Sequence, residues 1–110
     1  MSGLTILVTT IDTAAAAKTL ARAALEARLA ACVQIFPIFS HFRWKGELCE
    51  SEEFQLQFKL RREDYETLAA LVRRLHSYEI PEILRLDVTQ ADPGYSEWLF
   101  DATWRDPELA

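Results

Sequence analysis

The 110-residue sequence predicts an α+β fold of the ferredoxin-like βαββαβ type, with a long hairpin between the second and third strands and a short C-terminal helix. Three observations predict this fold class. Strand-like and helix-like segments follow the order strand, helix, strand, strand, helix, strand. An alanine-rich segment at residues 13–29 contains neither glycine nor proline, and residues 54–60 alternate between apolar and polar side chains. This order is typical of a domain whose helices cover one face of an antiparallel sheet, and we assign residues 1–110 to one domain.

The first part of the chain is predicted to form a central strand and a helix. Residues 4–10 are a nearly continuous apolar and β-branched run, which favours a buried strand. Asp12 is a suitable N-cap because its carboxylate can accept an orphan backbone N–H. The helix is therefore predicted from Thr13 to about Leu29. Its buried face is predicted to carry side chains at helical spacing, namely Ala16, Leu20, Ala23, Ala24 and Ala27.

A long β-hairpin is predicted to span about residues 31–60. Its first limb contains Pro37, which requires an edge strand or a bulge. A limb of about thirteen residues extends roughly 40 Å, whereas a compact chain of this length has a diameter of roughly 30–35 Å. The hairpin is therefore expected to project beyond its own core and to expose Phe39, Phe42 and Trp44. Since monomers suppress exposed strand edges and aromatic surface, we infer a homo-oligomer. The alternative is a hairpin bent back onto its core at Pro37.

The second part of the chain is predicted to repeat the helix–strand pattern. Residues 63–76 are predicted to form a helix and residues 83–88 the last strand. The residues at 92–94, Asp-Pro-Gly, indicate a turn before the short terminal helix. The apolar stripe of the second helix is predicted to consist of Tyr65, Leu68, Ala69, Val72 and Leu75.

Composition limits the kinds of partner. The net charge of −5 and the pI near 5.0 disfavour nucleic acids and anionic membranes. An RNA-recognition module shares this topology but needs basic and aromatic residues on its third strand, where residues 50–53 carry three glutamates. No apolar run reaches the ~18 residues of a membrane span. Residues 1–4 lack the features of a signal peptide, so a cytoplasmic protein is expected. Cys32 and Cys49 are interpreted as non-catalytic thiols of a reducing compartment.

The connection at residues 76–82 places an imidazole, a phenol and two carboxylates in a short segment stiffened by Pro81. Binding sites are often built on such connections, and His76 with nearby carboxylates can hold a divalent cation such as copper weakly. The alternative is a structural loop in which His76 caps the helix and the glutamates face water. A hydrolase that uses His76 with Glu79 or Glu82 is the least favoured interpretation, because no nucleophile is evident.

Four short segments occur in a distinctive order. They are Arg28-Leu29-Ala30-Ala31-Cys32-Val33 before Pro37, Phe42-Arg43-Trp44-Lys45-Gly46 with Glu53, His76-x-Tyr78-Glu79-x-Pro81-Glu82, and Tyr95-x-x-Trp98. In this order and spacing they strongly resemble the CutA family of divalent-cation tolerance proteins, from about Leu4 to Trp104. The resemblance implies a ferredoxin-like subunit and a homotrimer built through the long hairpin. It also implies an architecture similar to PII signalling proteins and a link to copper tolerance, without an established catalytic activity.

The resemblance further implies a cleft between subunits that binds a small ligand or, weakly, a divalent cation such as copper. At two positions where some family members have a cysteine and a histidine associated with copper, this chain has Val8 and Leu75. His76 is therefore the main metal-ligand candidate. A structural trimer without a metal role is the alternative. The cleft residues carried over by position are Cys32, Trp44, Glu53, Lys59, Tyr78, Glu79, Glu82 and Trp98.

Overall fold

The computed structural model describes residues 2–108. In chain order its elements are β1 (Leu4–Ile11), α1 (Ala14–Glu26), β2 (Cys32–Trp44), β3 (Glu47–Arg61), a 3₁₀ turn (Arg62–Asp64), α2 (Tyr65–Leu75), β4 (Ile83–Asp87) and α3 (Pro93–Ala102). The four strands form an antiparallel sheet with the order β2-β3-β1-β4. This arrangement confirms the predicted ferredoxin-like α+β fold.

The core lies between the sheet and the pair of helices α1 and α2. The even-numbered residues of β3 from 54 to 60 point into it, and Leu56, Phe58 and Leu60 are fully buried, as the alternation along this segment predicted. Leu7 of β1 pairs with Phe58 across the sheet and is equally buried. Burying each large apolar side chain contributes roughly 1.5–3 kcal/mol, so these central positions hold the helices against one face.

The ends of α1 differ from the prediction. The N-cap is Thr13, whose hydroxyl accepts the backbone N–H of Ala16 at 3.1 Å. Asp12, the predicted N-cap, lies one residue before it. The helix ends at residue 26 rather than near Leu29, because Arg28 adopts a left-handed φ of 56°. The N–H groups of Arg28 and Leu29 then bond back to the carbonyls of residues 25 and 24, which is a Schellman motif.

The buried face of α1 is also rotated relative to the prediction. Most candidate positions are alanines, so hydrophobicity alone does not distinguish one small side chain from the next. The rotation is fixed by contact with the sheet, which a sequence pattern does not contain. The buried residues are Ala17, Leu20, Ala21 and Ala24, whereas Ala16 and Ala23 are half-buried and Ala27 is exposed.

β2 and β3 form a long ribbon, as predicted. Their register is unbroken from Cys32↔Lys59 to Trp44↔Glu47, so the edge strand β2 accommodates Pro37 without a bulge. β1 accompanies β3 only as far as residue 54, which leaves residues 38–44 and 47–53 beyond the rest of the sheet. We call these two segments the ribbon overhang. The molecule measures 46 × 30 × 20 Å, which agrees with the expected projection.

The turn of the ribbon depends on Gly46. Lys45 and Gly46 have φ values of 49° and 81°, and no atom lies within 4 Å of the position that a Cβ on Gly46 would take. Gly46→Ala therefore adds backbone strain without a steric clash, and we expect it to lower the free energy of unfolding by about 1 kcal/mol in chemical denaturation. Gly46→Asn is the control, since asparagine tolerates this conformation. An equal loss in both variants would contradict this explanation.

The face of the sheet opposite α1 and α2 is only partly covered. α3 packs at one end of it, where Arg61 donates to the Thr103 hydroxyl at 2.8 Å. Beyond α3, the even-numbered side chains of β2 and β4 point to this same side, as the strand register requires. Leu84 and Leu86 are each 51% exposed. We call this uncovered surface the open face, and it consists of Phe36, Phe42, Trp44, Leu84 and Leu86.

The second part of the chain follows the prediction with small shifts. α2 begins at Tyr65, because residues 62–64 form a 3₁₀ turn, and β4 ends at Asp87 rather than at residue 88. Leu75, predicted in the apolar stripe of α2, lies at the last turn and is exposed. Among residues 2–108, no helix combines the length and the apolar character that crossing a membrane requires.

Asp87 fixes the end of β4. Its carboxylate accepts hydrogen bonds from Arg85 at 2.7 Å and from the Thr5 hydroxyl at 2.9 Å. Both bonds lower the pKa of Asp87 below its ordinary value of 3.8, and the bond from Arg85 has the larger effect. A depressed folded-state pKa stabilises the fold above the unfolded value, and this contribution is lost as the pH falls through the folded value. Asp87→Asn is therefore expected to lessen the loss of melting temperature below about pH 4. The exposed substitution Asp101→Asn should follow the wild-type profile, and identical acid profiles for wild type and Asp87→Asn would refute the assignment.

Candidate functional site

His76 ends α2 and anchors the connection that follows. Its Nε2 lies 2.8 Å from the Thr10 carbonyl oxygen in β1, and its Nδ1 accepts the Tyr78 backbone N–H at 3.0 Å. Because Nδ1 is an acceptor, the ring proton lies on Nε2 and is donated to Thr10. Both ring nitrogens are thus engaged by backbone groups. A metal ion can bind His76 only if one of these two hydrogen bonds breaks, and the role of His76 as a metal ligand stays a prediction.

Tyr78 joins the connection to the ribbon. Its hydroxyl donates to Glu53 Oε2 at 2.5 Å, and Glu53 is only 7% exposed. Burial raises the pKa of Tyr78 above its ordinary value of 10.0, and the hydrogen bond to Glu53 and the charges of Glu53 and Asp12 raise it further. The phenol therefore stays protonated at neutral pH and remains a hydrogen-bond donor. This pair holds the connection against the root of the ribbon overhang.

A cleft of about 790 Å³ lies between the connection and the ribbon overhang. Five of the predicted site residues line it, namely Trp44, Glu53, Tyr78, Glu79 and Glu82. Strand alternation places Ser40, Phe42 and Ser51 on the same side of the ribbon as Trp44, so the pattern in the sequence could have found these three. The lining residues that the sequence analysis missed are Thr10, Asp12, Ser40, His41, Phe42, Ser51, Ser77 and Ile80.

Three of the predicted cleft residues lie elsewhere in the chain. Cys32 and Lys59 pair with each other at the opposite end of the ribbon, where Lys59 Nζ donates to Gln34 Oε1 at 2.5 Å. Trp98 lies on α3, with its ring 5.5 Å from that of Tyr95. A common site for all of the predicted residues therefore requires a second copy of the chain. The part of these three residues in ligand binding stays a prediction.

The described donor groups of one chain do not form a metal centre. Within residues 2–108, no three side chains of histidine, cysteine, aspartate or glutamate lie close enough together to hold a metal ion. Tight sites for divalent cations bring several such donors within coordinating distance of one point. A tightly bound divalent cation at this cleft would therefore need donors from a neighbouring subunit.

The fold and the cleft together define a ferredoxin-like α+β protein with a projecting ribbon and an acidic, aromatic cleft at the root of that ribbon. A family model, the CutA1 divalent ion tolerance protein, matches residues 5–102. The chain belongs to the CutA1 divalent ion tolerance family. This confirms the resemblance carried by the four sequence segments.

Relatives and solved structures agree with this assignment. The chain is 36% identical over 99 residues to the divalent-cation tolerance protein CutA of Thermus thermophilus, covering 89% of this chain and 96% of the relative. It is 39% identical over 88 residues to human protein CutA, covering 79% of this chain but only 49% of the human protein. The structure of CutA from Synechococcus elongatus superposes with a TM-score of 0.91 at 38% identity, covering 94% and 93% of the two chains. The periplasmic divalent cation tolerance protein CutA of Archaeoglobus fulgidus superposes with a TM-score of 0.90 at 30% identity, covering 92% and 99%.

Proposed function

We propose that the chain forms a homotrimer that contributes to the tolerance of divalent cations, copper among them, by binding a cation or a small ligand in clefts between its subunits. The observation that carries the proposal is the open face, an apolar surface that runs into the cleft through Phe42 and Trp44. Membership of the CutA1 divalent ion tolerance family supports the link to divalent cations. The proposed location is the cytoplasm, where Cys32 and Cys49 remain free thiols.

The proposed assembly follows from how the sheet is covered. Ferredoxin-like sheets bury one face under helices, and here the other face keeps exposed leucines on β4 and aromatic side chains on β2. Among residues 2–108 of its own chain, the ribbon overhang has no neighbouring strand on either side. A second and a third copy would cover both the apolar side chains and the strand edges. The resulting arrangement would be PII-like, with sheets inside and helices outside.

We further propose a binding protein rather than an enzyme. A His/Glu hydrolase needs an imidazole nitrogen that is free to accept a proton. Both nitrogens of His76 are occupied by backbone hydrogen bonds. The Tyr78 hydroxyl in the connection donates to Glu53 and its pKa is raised, so it is a poor nucleophile.

Calorimetric titration with Cu²⁺ tests the role of the cleft. Glu79→Gln removes an exposed carboxylate from the cleft and is expected to weaken Cu²⁺ binding about threefold, the size typical of one exposed charge. Glu26→Gln, an equal change of charge at the end of α1, should leave the isotherm unchanged. Equal effects of the two substitutions would place the cation outside the cleft. His76→Ala decides the role of the imidazole, since an isotherm indistinguishable from wild type removes His76 from metal binding.

The second candidate function is a trimer that binds no ligand. Phe39 on the ribbon overhang favours it, because this aromatic side chain is 78% exposed and points away from the cleft, where it can contact another subunit but no ligand in the cleft. A ligand that binds the folded state must raise its melting temperature. A metal ion or metabolite that does so in wild type, and not in Glu79→Gln, would count against this candidate.

A further inference from the structure

The C-terminal helix α3 has few apolar contacts with the rest of the chain. Leu99 is its one buried residue, whereas Tyr95 and Trp98 are 39% and 47% exposed. A local unit with few buried apolar contacts opens at a lower free energy than the core of its domain. Polar contacts at the C-terminal end of α3 therefore matter for keeping this helix on the sheet.

Two arginine side chains bind the carbonyl end of α3 from different layers of the fold. Arg61 of β3 donates to the Phe100 carbonyl at 2.7 Å and to the Thr103 hydroxyl at 2.8 Å. Arg28, which follows α1, donates to the Ala102 carbonyl at 3.3 Å. Positive charges at this end of a helix also interact favourably with its dipole. The end of α3 is thus bound both to the sheet and to the helix layer.

The segment that follows α3, residues 103–105, continues to the helix layer, and we call it the strap. Its last residue, Arg105, donates through Nη1 to the Arg28 carbonyl at 2.7 Å and through Nη2 to Asp64 Oδ1 at 2.8 Å. The bonds of the two arginines are reciprocal, because the Arg28 side chain reaches the end of α3 and the Arg105 side chain reaches the end of α1. One guanidinium group therefore fastens the strap to α1 and to the turn before α2.

Asp64 makes the closed position of the strap depend on Arg105. The residue is 7% exposed, and Arg105 is its one ion-pair partner among residues 2–108. Its second carboxylate oxygen, Oδ2, is buried and accepts no hydrogen bond from these residues, and the side chain does not cap α2. A buried carboxylate that loses its cation is costly, and opening of the strap returns the carboxylate to water. Without the ion pair, the closed position is therefore disfavoured.

The surface beneath α3 continues the open face. Leu4 is paired with Arg61 in the sheet register, so its side chain points to the side on which α3 lies. Leu4 is 3% exposed, yet it is not part of the core between the sheet and the helices α1 and α2. Phe100 Cζ lies 3.4 Å from the position that a Cβ on Gly3 would take, so α3 lies against the start of β1. Opening of α3 would expose Leu4 and enlarge the open face.

We propose that the strap is a latch: it holds α3 closed on the sheet, and loss of the Arg105–Asp64 pair opens α3 together with the strap while the rest of the fold stays intact. The latch sets both the extent of the open face and the position of Trp98 on α3. It is a property of the single chain, and it does not depend on the cation or ligand of the proposed function.

Hydrogen–deuterium exchange followed by mass spectrometry tests the latch in the full-length protein. In Arg105→Gln, peptides that cover α3 are expected to exchange about tenfold faster, an effect typical of losing a partly exposed hydrogen bond between charged groups. Peptides from β1 report on the global fold and should keep their wild-type rates. Arg74→Gln is the matched control, because Arg74 is an exposed arginine of α2 without an ion pair among residues 2–108. This control should leave the exchange of α3 unchanged.

Two further variants distinguish a latch from general destabilisation. Arg105→Lys keeps the charge beside Asp64 but lacks the fork that reaches both acceptors, so its α3 exchange should lie between those of wild type and Arg105→Gln. Adding Asp64→Asn to Arg105→Gln removes the unpaired buried charge and should restore part of the protection of α3. Unchanged α3 exchange in Arg105→Gln, an equal acceleration in all peptides, or a further acceleration in the double variant would overturn the proposal.

Discussion

Leu84→Glu is expected to dissociate the proposed trimer into single chains of 12.6 kDa. Leu84 lies on β4 in the open face and is 51% exposed in the isolated chain, so a glutamate there does not disturb the core of its own subunit. In the proposed trimer this position is covered, and a charge buried there without a partner costs several kcal/mol per subunit. Sedimentation velocity should therefore show loss of the species of three times this mass, with an unchanged far-UV circular dichroism spectrum.

The control for this change is Leu25→Glu. Leu25 is exposed to a similar degree but lies on α1, in the helix layer on the opposite side of the sheet. Its replacement should leave the mass of the assembly unchanged. Retention of the full mass in Leu84→Glu, or dissociation in both variants, would show that the open face is not the subunit interface.

Tyr78→Phe is expected to lower the free energy of unfolding by about 2 kcal/mol, the cost of leaving a buried polar group without its hydrogen bond. The substitution keeps the ring but removes the only donor to Glu53 within the described residues 2–108. Urea denaturation measures the effect. Tyr65→Phe is the matched control, because the Tyr65 hydroxyl makes no hydrogen bond within residues 2–108 and its ring contact with Arg85 is retained. Equal losses in the two variants would contradict the pairing of Tyr78 with Glu53.

The same substitution has an expected signature at alkaline pH. The pKa of Tyr78 in the folded state lies above 10.0, so the unfolded chain loses this proton first as the pH rises. The contribution of Tyr78 to stability is therefore complete below about pH 10 and is lost above it. Tyr78→Phe should reduce the fall in melting temperature above this pH. It should not abolish that fall, because burial also raises the pKa of Tyr95.

The sheet was predictable from the sequence because its signals are strong and local. The alternation of Leu56, Phe58 and Leu60 with polar residues fixed both the strand and its buried face. The comparison of hairpin length with domain diameter predicted that the ribbon projects beyond the core, and the 46 Å long axis agrees. The unbroken register shows that Pro37 introduces no bulge into the ribbon. Both inferences need only the spacing of residues along one segment.

The details of α1 were not predictable in the same way. Asp12 and Thr13 are both good caps, and only the backbone geometry selects Thr13. The end of the helix depends on Arg28 in a left-handed conformation, a position where glycine is usual, so composition gave no stop signal. Among so many alanines, the face that meets the sheet is decided by packing.

The candidate site was predictable only in part. The short segment at residues 76–82 drew attention to Tyr78 and Glu79, and both line the cleft. The pairing of Tyr78 with Glu53, across 25 positions of sequence, requires the fold. The hydrogen bond between the His76 ring and the Thr10 carbonyl also requires the fold. With both ring nitrogens hydrogen-bonded, the imidazole anchors the connection and has no free nitrogen for a metal ion.

Sedimentation equilibrium of the wild-type chain at micromolar concentration tests most directly whether the ribbon overhang and the open face are completed by copies of the same chain. The expected result is one species of three times 12.6 kDa, with no folded single chain at equilibrium. A well-folded species of 12.6 kDa that persists at this concentration would contradict the trimer and the clefts shared between its subunits.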